Sequence, residues 1–327
     1  MKVIIGGAQR SGTSFLRAIL GSHSDIAMFP YDLRLWTKYL PEFGLKPLAP
    51  EDQKILIQRL LSDEKTVIAD DVPSFDEVWA RLKVGQNTPV SAMHVFDSFL
   101  SSYAQRRGRP IWGHKTPWNE YHAEQLLGEW DDAFFIHLIR NPLDSALSAK
   151  YAEGGTWHYD PFLHVKRWRR SAEEAEINAQ RFPGRYLVVR YEDLRAEPRS
   201  TSQAICGFLG VAFEDEMEKG LKQPGWGGDN SSFTSRGGSS GRNRHRRLPK
   251  YLKAFYQEEL KREMQRFGYV AAVSRTHLGP LDRLLLSFKR WRLRALYAAI
   301  RAKEHLQRGG GLQLQVGRFA RLEKDGR

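Results

Sequence analysis

The sequence predicts an α/β fold, a three-layer αβα arrangement with a central parallel sheet, and two observations carry that prediction. Short apolar runs alternate with helix-patterned segments along the first two-thirds of the chain. The runs that open at Val3 and Phe134 each end in a turn holding an arginine, and strand ends are where open parallel sheets keep their ligand loops. A length of 327 residues with 41% apolar content is enough for one large core, although length alone also allows two units.

The first element is strand 3–7 followed by helix 13–21. In VIIGGAQRSGTSF, Val3 to Phe15, a hydrophobic strand enters a glycine- and hydroxyl-rich turn, and a helix pattern begins at once. Backbone N–H groups of such a turn and helix start converge on a phosphate or phosphosulfate. Counting from Gly7, the order Gly-x-x-x-x-Gly-Thr falls short of the nucleotide triphosphatase loop, because no lysine precedes Thr13. Arg10 stands inside the turn, where a fixed guanidinium can grip two anionic oxygens. A tight structural turn, with glycines needed only for positive φ, is the alternative.

A helix over 51–62, a strand over 66–70, a helix over 92–106, a strand over 110–114 and a helix over 119–129 come next. FFIHLIR, Phe134 to Arg140, then reads as a buried strand, and NPLDSALSAKYAEG as a helix over 142–152. Asn141 suits the cap and Pro142 the first turn, so Arg140 emerges at a strand end while Asp144 and Ser148 share a helix face. An anion clamp and an ordinary surface arginine are both open on these residues alone. A helical stretch over 161–181, strand 186–191 and helix 198–209 complete the alternation.

With these blocks in view, the chain resembles the sulfotransferase family that uses 3'-phosphoadenosine 5'-phosphosulfate (PAPS). GAQRSGTSF resembles the family's 5'-phosphosulfate loop, and RNPLDSALS, with Arg140 and Ser148 eight apart, its clamp for the 3'-phosphate. VVRYEDL, Val188 to Leu194, resembles the block after the next core strand, which places Tyr191 near the nucleotide. DNSSFTSRGGSSGRNRHRRLP, Asp229 to Pro249, resembles the late loop that folds over the nucleotide and offers Arg236 or Arg242; an ordinary surface loop is the alternative. The resemblance covers roughly residues 1 to 270. It implies a P-loop-like sulfotransferase domain over 1–270, PAPS as donor, and a separate C-terminal extension over 271–327.

The implied reaction moves a sulfuryl group to a hydroxyl of a glycan, glycolipid or small-molecule acceptor and releases adenosine 3',5'-bisphosphate (PAP). Fixed cations and N–H donors at the leaving oxygens lower the barrier of such a transfer. By the resemblance those groups are Arg10, Ser11, Gly12, Thr13 and Ser14. Many relatives carry lysine where Arg10 stands; arginine stays charged, so its role is electrostatic.

Two base candidates follow. HSDIAMFPYDLRLW, His23 to Trp36, resembles the continuation in which carbohydrate and peptide sulfotransferases place a glutamate shortly after a proline, which points to Asp32. PIWGHKTPWNEYH, Pro110 to His122, puts His114 where bacterial members show an acid before Lys-Thr-Pro, with Lys115 able to touch the sulfonate or orient the base. A turn aspartate and a structural histidine are the plain alternatives. Aromatics in Met28 to Leu48 and Tyr151 to Trp168 suit an acceptor pocket, and core packing accounts for them equally well.

The net charge of +13 and a pI near 9.8 raise the question of nucleic acid, but no helix-turn-helix, zinc-finger or single-strand-binding block is present, and an anionic donor explains the excess. No nucleic-acid partner and no metal are expected. The single cysteine, Cys206, reads as a buried apolar residue. No run reaches membrane-spanning length, and the opening apolar run is too short for a secretory signal, so a cytoplasmic enzyme is expected. The basic amphipathic tract 278–309 is expected to be helical, and to cover the core, form a homodimer or lie on the inner membrane face. A nucleotide kinase and a non-catalytic anion-binding module are the competing functions.

Overall fold

The computed structural model describes residues 1–84, 89–150, 159–222, 248–269 and 278–308. Five parallel strands form one sheet in the order β2-β3-β1-β4-β5, with β1 Lys2–Gly6, β2 Ile26–Met28, β3 Ile111–Lys115, β4 Ala133–Ile139 and β5 Tyr186–Arg190. The expected three-layer architecture is what the chain adopts.

The sheet separates two apolar layers because alternate strand residues point to opposite faces. Ile4, Trp112 and Phe135 meet α3 Pro50–Leu61, α5 Ala92–Arg106 and α6 Ala123–Glu129 through Leu56, Phe96, Phe99 and Leu126. Ile5, Ile136 and Leu138 meet α1 Thr13–Gly21 and α10 Pro198–Leu209 through Phe15, Leu16, Ile19 and Ile205. A third cluster lies where Ile139 leaves the sheet. It joins α7 Pro142–Lys150, α8 Pro161–Arg181 and α12 Lys250–Glu259. α8 starts where Asp160 accepts N–H bonds from Phe162 and Leu163 and Pro161 fits the first turn; α10 ends where Gly210 turns left-handed. The remaining helices are α2 Leu40–Phe43, α4 Phe75–Lys83, α9 Tyr191–Ala196, α11 Met217–Lys222, α13 Lys261–Arg266 and α14 Pro280–Arg308.

Three expectations need correction. Residues 66–70 do not form a strand: Thr66 and Val67 donate to the Asp63 carbonyl in successive turns, and Val67 and Ile68 are exposed. The buried Asp63 carboxylate sets that turn, accepting from Lys65 N at 2.9 Å, Tyr39 OH at 2.7 Å, Arg34 and Lys38. The edge strand is Ile26–Met28, three residues too short for an alternation signal. The helix expected over 119–129 begins as a 3₁₀ turn, Asn119–His122, after Trp118 at φ 80°. The aromatics of 28–48 are not an open cluster: a π-helix, Leu35–Tyr39, and α2 carry the segment, and Phe29 and Tyr39 lie in the core. Trp168 is likewise buried, donating to the Arg140 carbonyl at 2.8 Å.

Candidate active site

The loop from β1 to α1 is shaped by backbone conformations that few side chains tolerate. Gly7 has φ 139° with the Leu138 carbonyl where a Cβ would stand, and Gly12 caps α1 at φ 96° with the Tyr191 ring in the same position. Any side chain at either position would collide and be strained. Arg10 also adopts a positive φ, 71°, which points the loop back after Ala8 accepts the Ser11 N–H at 3.0 Å. α1 has no acid in its first turn and no side-chain cap, so no group of the helix itself offsets its positive end. Ser11 Oγ is fully buried without a hydrogen-bond partner among the described residues. Buried polar atoms are normally paired, which fits a loop built around a ligand oxygen.

The second block closes on the first. Arg140, just past β4, donates from Nη1 to the Arg10 carbonyl at 3.0 Å, and its guanidinium lies 4.4 Å from the centre of the Tyr191 ring. Arg10 Nε donates to Ser148 Oγ at 3.1 Å, reaching α7 one side chain away. Asn141 Oδ1 accepts from Leu143 N at 2.9 Å, and the Asn141 N–H is held by Glu192, whose other oxygen accepts from Tyr269 OH at 3.0 Å. Arg10, Arg140, Ser148, Gly12 and Tyr191 are thus brought together from three stretches of chain. Arg140 is nearly buried and its Nε has no partner among the described residues. Thr13 and Ser14 open α1 beside them. Arg236 and Arg242 lie outside the described residues.

Across the sheet end, Asp32 accepts from Lys115 Nζ at 2.8 and 3.1 Å and from Arg17 Nη1 at 3.5 Å. The Asp32 segment is pinned to the end of β3 by Arg34 N–H donating to Thr116 Oγ1 at 3.2 Å. Lys115 is paired in register with Ile5, so it rises on the α1 side, whereas His114 is paired with Ile4 and lies on the opposite face. Burial holds the His114 pKa down at about 4, and its Nε2 has no partner among the described residues. The ring is therefore neutral at physiological pH.

Three residues of this region escape a sequence reading. Arg17, almost wholly buried, interrupts the apolar face of α1 and reaches Asp32; a lone arginine inside FLRAIL was the signal. Asn119 donates to the Ile5 carbonyl at 3.0 Å and accepts from Trp36 Nε1 at 2.9 Å, tying β1 to the π-helix. Glu120 accepts the Gly7 N–H at 3.3 Å, and burial raises its pKa from 4.5 to about 7. Both follow Lys115-Thr116-Pro117-Trp118, a polar pair shortly after a strand end. Among the described residues no group of three or more His, Cys, Asp or Glu side chains gathers as a metal site requires.

A strand–turn–helix loop joined to a strand-end arginine on a five-stranded parallel sheet flanked by helices is an α/β architecture of the P-loop-like class. The profile of the Sulfotransferase family matches residues 2–215, and the chain belongs to that family. Its fold is similar to the sulfotransferase domain of the olefin synthase of Synechococcus PCC 7002, with 20% identity and a TM-score of 0.54 over 83% of this chain and 95% of that one. A sulfotransferase domain from the curacin biosynthetic pathway aligns at 19% identity over 83% of this chain and 98% of that one, TM-score 0.47. A mouse sulfotransferase complexed with PAP aligns at 13% identity over 81% and 84%, TM-score 0.44. No curated protein sequence matches the chain.

Proposed function

We propose that this sulfotransferase takes PAPS as donor and sulfates a hydroxyl group of a glycan, glycolipid or small-molecule acceptor. The observation that carries the reading is the junction of Arg10 with both Arg140 and Ser148, which joins two anion-binding blocks some 130 residues apart into one cradle. In it, the loop N–H groups, Ser11 and the hydroxyls of Thr13 and Ser14 hold the 5'-phosphosulfate, and Arg140 with Ser148 holds the 3'-phosphate. Tyr191 supplies a ring beside the nucleotide. Arg236 and Arg242 are proposed to add charge at the 3'-phosphate.

When bound, the donor supplies an activated sulfuryl group, whose transfer to the acceptor oxygen releases PAP. Asp32 is the base. Its carboxylate is partly open to solvent and held by two cations, which aim it at an acceptor hydroxyl that gives up its proton. Lys115 and Arg17 then balance the charge that shifts toward the leaving oxygen, together with Arg10. His114 sits on the other face of the sheet and its burial disfavours the protonated form, which leaves it a supporting role behind Asp32.

The test is calorimetric titration with PAP, AMP and ATP of the wild type, Arg10→Ala and Arg140→Ala. Binding that requires the 3'-phosphate and collapses in both variants supports the donor. Preference for ATP moves the reading to a kinase. Tight PAP binding without turnover on any acceptor moves it to a non-catalytic nucleotide binder.

A further inference from the structure

The last described helix has one face on the protein and another on solvent, and both are apolar. On the inner side Leu286 and Leu293 are buried, and Lys289 and Arg290 lie 5.4 and 5.0 Å from the ring centres of Tyr159 and Phe162. On the outer side Leu281, Leu284, Leu285, Phe288 and Trp291 recur at three- and four-residue spacing, and Leu281, Leu284 and Trp291 are 68%, 66% and 65% exposed. These five residues span about 15 Å of helix, a continuous ridge rather than scattered surface residues.

The charge around the ridge is one-sided. Between Pro280 and Ala295 five basic residues, Arg283, Lys289, Arg290, Arg292 and Arg294, stand against one acid, Asp282. Asp282 accepts the Gly279 N–H at 3.0 Å and so serves the helix start. The arginines at 283, 290, 292 and 294 are exposed, and Arg283 is paired with Glu258 of α12 at 3.6 Å. A two-fold pairing through this ridge would set two such cationic helices side by side, and like charges across an interface oppose association. An anionic surface meets the ridge and its rim together: apolar side chains enter the acyl boundary, the aromatic pair Phe288 and Trp291 sits at headgroup depth, and the arginines meet lipid phosphates. No described helix is long and apolar enough to cross a membrane, so the helix lies in the plane of the surface.

We propose that α14 docks the protein on an anionic lipid bilayer, with Leu281, Leu284, Leu285, Phe288 and Trp291 as the inserted ridge and the exposed Arg292 and Arg294 as its headgroup contacts. Docking of this kind is independent of what the enzyme sulfates.

The experiment is sedimentation of the full chain with vesicles of phosphatidylcholine alone and of phosphatidylcholine mixed with phosphatidylglycerol. At low salt the expected partition onto the mixed vesicles is at least about tenfold tighter than onto the neutral ones and weakens as salt is raised. The double variant Phe288→Ser/Trp291→Ser changes exposed positions only, so its thermal midpoint should match the wild type while vesicle binding drops at least about tenfold. Arg292→Glu/Arg294→Glu should erase the preference for the anionic vesicles. Absence of binding to the mixed vesicles overturns the proposal. So does a mass that doubles with concentration in light scattering and returns to a monomer in Phe288→Ser/Trp291→Ser, because the ridge is then a contact between two copies.

Discussion

The two sides of the site are built differently. On the proposed donor side, residues far apart in sequence are already tied to one another: Arg140 to the Arg10 carbonyl, Arg10 to Ser148, Gly12 under Tyr191. On the proposed acceptor side, Asp32 is tied to two cations but stands at the edge of a segment that follows a short edge strand and enters a π-helix. Under the proposed function, nucleotide binding rests on a preformed cradle that costs little to organise, and the chemistry on one carboxylate held in place by Lys115 and Arg17. Separate substitutions should split the two functions.

The largest effect is expected at Asp32. Asp32→Asn keeps the shape and removes the proposed base, so kcat should fall by about 10²–10⁴ while the dissociation constant for PAP moves by no more than about twofold. Steady-state rates with a responsive acceptor, alongside PAP titration, check this. A His114→Gln variant losing as much in kcat as Asp32→Asn would transfer the role to the histidine and break the comparison. The opposite pattern is expected at Arg140: Arg140→Ala removes a nearly buried cation and should weaken PAP about 100-fold or more, with a smaller loss in kcat at saturating donor.

How much of this was legible depended on how local each signal is. The loop Gly7 to Ser14, the block Arg140 to Ser148 and the block Val188 to Leu194 are local patterns of residue type and spacing, and the structure brings them together. The alternation that predicted a parallel sheet was equally plain. Thr66 to Asp70 misled because a short apolar run reads alike as an edge strand or as an exposed turn, and the deciding group, the buried Asp63 carboxylate, takes its partners from Arg34, Lys38 and Tyr39. Arg17, Asn119 and Glu120 were opaque for a related reason. Their partners are Asp32, the Ile5 carbonyl and the Gly7 N–H, and the last two lie 114 and 113 residues away in the chain.

Glu120 connects the cradle to stability. Burial raises its pKa from 4.5 to about 7, so the folded protein holds this proton more tightly than the unfolded chain does. Between those two values stability therefore falls as pH rises, and it is flat with respect to this group below and above them. The shift corresponds to a loss on the order of 3 kcal/mol across the window. Glu120→Gln preserves an acceptor for the Gly7 N–H and removes the titration, so urea unfolding at mildly acid and mildly alkaline pH should show a smaller difference than in the wild type. An unchanged difference would place the titrating group elsewhere and leave the loop without this pH-dependent support.

The smallest expected effect is the most discriminating for the donor side. Ser148 Oγ accepts from Arg10 Nε, and Ser148→Ala removes that bond without touching either charge. A single hydrogen bond contributes about 1 kcal/mol, so PAP binding should weaken about fivefold, while AMP, which lacks the 3'-phosphate, should change by less. If Ser148 contacts the 3'-phosphate as well as Arg10, PAP loses more than AMP; if it only steadies Arg10 over the loop, AMP loses as much as PAP. The ratio of the two losses therefore reports whether the serine belongs to the clamp or to the loop, a distinction that Arg140→Ala, which removes both contacts of the clamp with the loop and with Tyr191, cannot make.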